Sequence, residues 1–146
     1  AAIARTVPWQ WRKRTHLRGL DRQLTAFDRL LRNARVLVRR ADVAILEGEP
    51  VPSSYVELVA EAADIASDLA KALGDQQALG AVRRQLGELA EETNHRAPQP
   101  SLSAEVIRAQ VRSAIVDMYM LTGLSYGEAR VRVPSQYHER RSAEDD

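Results

Sequence analysis

Apolar residues in the first third of the chain recur at a fixed interval. Leu17, Leu20, Leu24, Phe27, Leu31, Ala34, Val38, Ala41 and Ile45 alternate spacings of three and four over four heptads. Only a helix puts such positions on one side. Leu30, Leu37 and Ala44 widen the seam along one flank, beyond what a simple two-stranded coiled coil uses. The pattern predicts a bundle helix of about 30 residues, ending before Gly48-Glu49-Pro50-Val51-Pro52.

Later segments repeat the theme. Ser54 followed by Glu57 reads as a capping box that opens a second helix, running to about Leu73. Its apolar positions are Tyr55, Leu58, Val59, Ala62, Ile65, Ala66, Leu69 and Leu73. After Gly74-Asp75, Leu79, Val82, Leu86, Leu89 and Thr93 mark a third helix. Pro98 and Pro100 forbid helix between His95 and Pro100. Ser103 is the expected N-cap of a fourth helix, with Leu102 and Ile107 as its hydrophobic staple. Ile107, Val111, Ala114, Ile115, Met118 and Leu121 are its apolar face, and Gly123 suits its end. Ser125 with Glu128 is a further capping box, for a short fifth helix. Four amphipathic segments with short links predict an all-α antiparallel four-helix bundle whose first helix is long. Its expected core includes Leu24, Phe27, Leu31, Val38, Leu58, Ile65, Leu69, Leu86, Val111 and Met118.

Composition narrows the class. The 146 residues suit one domain, and 45% apolar with 28% charged residues fits a folded chain. Cysteine is absent, which removes disulfides, thiolate metal sites and cysteine nucleophiles together. No run approaches the roughly 18 apolar residues that a bilayer span needs.

A net charge of +1 conceals an asymmetry. Residues 1–40 hold eleven Lys or Arg against Asp21 and Asp28, whereas the remainder holds ten basic and eighteen acidic groups. The cationic end therefore asks for an anionic partner. Arg18, Arg22, Arg29, Arg32, Arg39 and Arg40 fall opposite the apolar seam, as a solvated face would. Duplex DNA is a poor candidate, because the acidic remainder would repel it and helix-turn-helix spacing is missing.

The start of the chain fits a membrane surface better. Trp9 and Trp11 precede Arg12, Lys13 and Arg14, the order of an aromatic interface belt followed by cytoplasmic basic residues. The opening Ala-Ala-Ile-Ala-Arg has no methionine, which suggests a piece of something longer. The expected organisation is a juxtamembrane segment over 1–14, the bundle over 15–133 and a polar tail over 134–146.

Chemical motifs are thin. Glu57, Glu61, Asp64 and Asp68 form a carboxylate stripe, but a di-metal bundle site needs a Glu-x-x-His pair from each of two helices. Only Glu92 and His95 have that spacing, so neither metal nor cofactor is expected. His16, His95 and His138 are scattered, and neither a nucleophile elbow nor a phosphate-binding glycine loop occurs. The chain reads as a non-enzyme. The one candidate ligand site lies near the end of the fourth helix, where Met118, Tyr119, Met120 and Tyr126 could line a pocket with Arg130 or Arg132 reading a carboxylate.

The Trp/Arg-rich start, the stretch "LRGLDRQLTAFDRLLRNARVLVRR" and the "TGLSYGEAR" turn resemble soluble domains of the fusaric-acid-resistance (FUSC) and aromatic acid exporter-like membrane proteins. The resemblance implies a helical domain on the cytoplasmic face of the cell membrane, beside its own transmembrane block, in a protein that exports aromatic acids. The missing methionine, the Trp pair followed by Arg-Lys-Arg and the lack of a catalytic constellation point to a role in assembly or regulation, with an anionic membrane surface as partner. The arginine and carboxylate faces could pair with a second subunit. The alternative is a free-standing helical module that binds a small aromatic acid or a protein.

Overall fold

A computed structural model describes the backbone of residues 9–134 and the side chains of residues 19–134. Five helices follow one another: α1 (Trp9–Glu47), α2 (Ser53–Ala72), α3 (Gln76–Glu92), α4 (Leu102–Leu121) and α5 (Tyr126–Val131). No strand occurs among the described residues, and the helices pack as an all-α bundle. α4 is its hub, in contact with α1, α2, α3 and α5. α2 and α3 form a hairpin against one side of α4, and α1 lies against another.

Local chemistry sets the helix ends. α1 stops at Gly48, which takes a left-handed φ of +65° that a side chain would resist. Asp75 caps α3 by accepting hydrogen bonds from the amides of Gln77 and Ala78. The Ser125–Glu128 capping box forms as expected. The other two expected caps do not. Pro52 stands at the N-cap of α2 with no side-chain hydrogen bond, because Ser53 and Ser54 already lie within the helix. Ser101, not Ser103, caps α4, its hydroxyl accepting from the Ala104 amide. Ser103 is buried instead, with its amide donating to Glu49 at 2.9 Å, and Leu102 is exposed rather than stapled.

The core lies between α4 and the α2–α3 hairpin. Leu58, Ile65, Leu69, Leu86, Val111 and Met118 are buried there, as expected. α1 overturns the rest of the expected core. Leu24 is 67% exposed, Phe27 51% and Val38 58%, and Leu31 is exposed with them. The face that α1 turns inward carries Ala26, Leu30, Asn33, Leu37 and Ala44, about 125° around the helix from the Leu24–Phe27–Leu31 seam. Its small residues explain the choice. Ala26 and Ala44 are small enough to be buried where α1 lies against its neighbours, and α4 supplies Ile107 beside Ala44 and Asp117 beside Asn33.

α1 is also longer than its apolar pattern. Residues 9–14, expected to precede the bundle, are helical and continuous with it.

Candidate functional site

Two features of α1 stand out as sites, a bare apolar face and a polar cleft. Leu20, Leu24, Phe27, Leu31 and Val38 form a stripe along the helix, with no element of the described chain over it. Monomeric proteins seldom expose so continuous an apolar row. At its C-terminal end the stripe runs through Ala41 and Ile45 into a groove of about 310 Å³. Val51, Val56, Val59 and Ile107 complete the groove's apolar wall, and Glu49 is its only charged residue. Ser103 holds that carboxyl below the usual range through its hydrogen bonds, so Glu49 stays ionised at the rim.

The cleft lies on another side of α1. Asp117 of α4 is 1% exposed, and its Oδ2 accepts from Asn33 Nδ2 at 2.6 Å. Its Oδ1 faces Arg29 Nε at 3.4 Å, within ion-pair range but without hydrogen-bond alignment. Burial pushes the Asp117 carboxyl up, opposed by the Arg29 charge and the Asn33 amide. Arg29 stacks over the Tyr126 ring at 5.1 Å, and Arg130 approaches the same ring at 6.0 Å. Together with Arg32 and Ser113 these groups line a cavity of about 160 Å³. Three guanidiniums and one buried carboxylate leave it cationic.

A second polar network is structural. Glu105 accepts from Tyr55 Oη at 2.9 Å, Arg96 at 2.6 Å and Arg108 at 3.0 Å. Burial alone would raise its carboxyl, but these donors hold it at about 2. Arg108 also donates to the Thr93 carbonyl, and Arg112 donates to Thr93, Asn94 and the Pro134 carbonyl. The network ties the α3–α4 loop and the chain after α5 to α4.

The structure divides the residues expected to bind a ligand. Tyr126 and Arg130 do line one cavity. Met118 and Tyr119 do not join them; both are buried in the core, and Tyr119 Oη donates to the Arg83 carbonyl at 3.2 Å. Met120 is likewise buried, while Arg132 lies near the Tyr119 ring at 6.0 Å. The side chains of Trp9, Trp11, Arg12, Lys13 and Arg14 lie outside the described residues. Of the carboxylate stripe, Asp68 pairs with Lys71 at 3.2 Å, and burial beside Glu92, Glu88 and Asp64 raises the Glu61 carboxyl. No cluster with metal-ligand geometry occurs among the described residues.

Sequence reasoning missed Asn33, Asp117 and the inward role of Arg29. A signal was present: Asp117 interrupts the apolar run Ala114-Ile115-Val116-Asp117-Met118, and a carboxylate in such a run needs a partner. Asn33 likewise recurs with Ala26, Leu30, Leu37 and Ala44 at helical spacing.

No helix among the described residues is long and apolar enough to cross a membrane. No family model matches the chain, and no solved structure matches it. An uncharacterized protein of Corynebacterium glutamicum is 34% identical over 139 residues, covering 88% of this chain. That alignment takes in 35% of the relative, so the chain spans about a third of the length of the protein it resembles.

Proposed function

We propose that this chain is a non-catalytic helical assembly domain of a larger protein, one that acts at the cytoplasmic face of a membrane. The observation that carries this reading is the bare apolar face of α1, extended beyond the part of the helix that α4 covers. A long helix packed on one flank and apolar on another is suited to hold a further helix. The greater length of the Corynebacterium relative agrees with a domain role. The Trp9–Arg14 stretch supplies the membrane contact, with each nearby basic residue worth about 1 kcal/mol against an anionic leaflet. In its fullest form the larger protein is an exporter of aromatic acids.

The test is made in the longer protein that contains this domain. Phe27→Asp should disrupt its assembly in membrane extracts, read by native mass, while neutralising Arg12, Lys13 and Arg14 should weaken vesicle binding. Unchanged assembly and unchanged vesicle binding would refute the reading.

The cleft at Asp117 favours a second role, as a receptor for a small carboxylate. Arg32 and Arg130 border the cavity, with the Tyr126 ring as an apolar wall. Calorimetry with a panel of aromatic acids tests this directly. Binding that Arg130→Ala abolishes supports it, and no heat from any acid removes it.

A further inference from the structure

The assembly reading leaves open what covers the α1 stripe, and the sizes of its residues bear on that. In heptad terms the stripe begins with Leu20, Leu24, Phe27 and Leu31, all large. It ends with Ala34, Val38, Ala41 and Ile45, mostly smaller. A parallel pairing of two such helices would set Phe27 on its own copy and leave gaps where Ala34 and Ala41 meet theirs. An antiparallel pairing does the opposite. Centred between Leu31 and Ala34, it sets Leu31 against Ala34, Phe27 against Val38, Leu24 against Ala41 and Leu20 against Ile45. Every layer then joins a residue of the first half to one of the second, and three of the four join large to smaller, as close packing requires.

The groove adds to this match. The half of α1 that carries Leu20 and Leu24 has only exposed side chains from residue 20 to 25, so it is free to reach a neighbour. The other half adjoins the apolar groove beside Val56 and Val59. An antiparallel copy lays its bare half alongside that groove, twice, by symmetry. Side chains of roughly 150–200 Å² at the observed exposures leave on the order of 600 Å² of apolar surface per copy, so about 1,200 Å² for two, the lower edge of specific interfaces. Charge agrees at the centre, where Asp28 of one copy flanks Arg35 of the other. It disagrees at the ends, where Asp21 approaches Asp42.

Resting on the assembly reading, we propose that the occupant of the α1 stripe is a second copy of this chain. Two α1 helices pair antiparallel, each placing its Leu20–Leu31 half against the Ala34–Ile45 half and groove of the other. Such a dimer is isologous, so every contact occurs twice.

Analytical ultracentrifugation of the 146-residue chain tests the association. The expected species at micromolar concentration has twice the 16.3 kDa chain mass. Phe27→Asp should weaken dimerisation at least tenfold while circular dichroism retains the helical signal, since that side chain is half exposed. Asp42→Lys should tighten the dimer severalfold by removing the like-charge contact. Orientation is read by cross-linking, which the absence of native cysteine keeps free of background. Mixed Leu20→Cys and Ile45→Cys chains should form a heterodimeric disulfide, and Leu20→Cys alone should not link to itself. A monomer across the concentration range, a dimer indifferent to Phe27→Asp, or efficient self-linking of Leu20→Cys overturns the proposal. A monomeric chain whose Phe27→Asp change still disrupts the longer protein would leave the assembly reading standing and remove only the second copy.

Discussion

α1 and α4 pack against each other, yet they use apolar residues in opposite ways. α4 is buried on most of its sides, so even two of its charged groups lie inside, each held by neighbours: Asp117 by Asn33 and Arg29, Arg108 by Glu105 and the Thr93 carbonyl. α1 buries small and polar residues and leaves its largest apolar ones in water. The contrast shows that apolar periodicity identifies a face that seeks cover without identifying the cover. When a helix has two such faces, shape complementarity with the hub decides which one the domain itself buries.

The largest effect that sharpens this comparison lies in the core between the hub and the hairpin. Ile115→Ala or Leu86→Ala, at fully buried positions, should cost about 2–5 kcal/mol in chemical denaturation. A loss below 1 kcal/mol would mean that the core is not centred on α4.

Acid comes next. Glu105 is held at about 2 when folded, below its ordinary 4.5, so its contribution is present above pH 4.5 and is lost as pH falls toward 2. On the order of 2–3 kcal/mol should disappear over that window, and Glu105→Gln should flatten the profile. Asp117 has the opposite sign, because its carboxyl is raised: the stability it confers is greatest in acid and is lost as pH rises through its folded pKa. Asp117→Asn should therefore be tolerated near neutral pH, provided Asn33 and Arg29 keep acceptors.

Caps give a smaller effect. Ser101→Ala should cost about 1 kcal/mol by thermal melting, and more than Ser54→Ala, whose hydroxyl caps nothing.

The smallest effect belongs to α1's outer face. Phe27→Ala, measured at protein concentrations low enough to keep the chain monomeric, should change stability by no more than about 0.5 kcal/mol. A loss of several kcal/mol would erase the contrast between the two helices.

The fold class and the helix order were legible because periodicity, glycine stops and proline breaks act within a few residues of one another. The α2–α3 hairpin and α4 core followed from the same rule. The inward face of α1 was not legible, since Ala26, Asn33 and Ala44 look unremarkable beside a row of leucines. Only the surface that α4 presents selects them. The cap of α4 was misassigned for a similar reason: Ser101 and Ser103 are chemically equal, and the pull of Glu49 on the Ser103 amide is a contact between distant parts of the chain. Part of the candidate cleft could be read, through Tyr126 and Arg130, because both stand within α5. The rest comes from α1 and α4, and no local pattern links the three helices.

The one-sided attachment of α1 also has a mechanical consequence. The helix extends about 25 Å beyond Ala26 toward Trp9, as a stiff rod of 1.5 Å per residue. A tilt of about 10° at the α4 contact would sweep its start through roughly 4 Å, while Arg29 and Asn33, close to the fulcrum, would shift by far less. Force applied at the tryptophan end would thus reach the buried Asp117 carboxylate as a small, leveraged displacement.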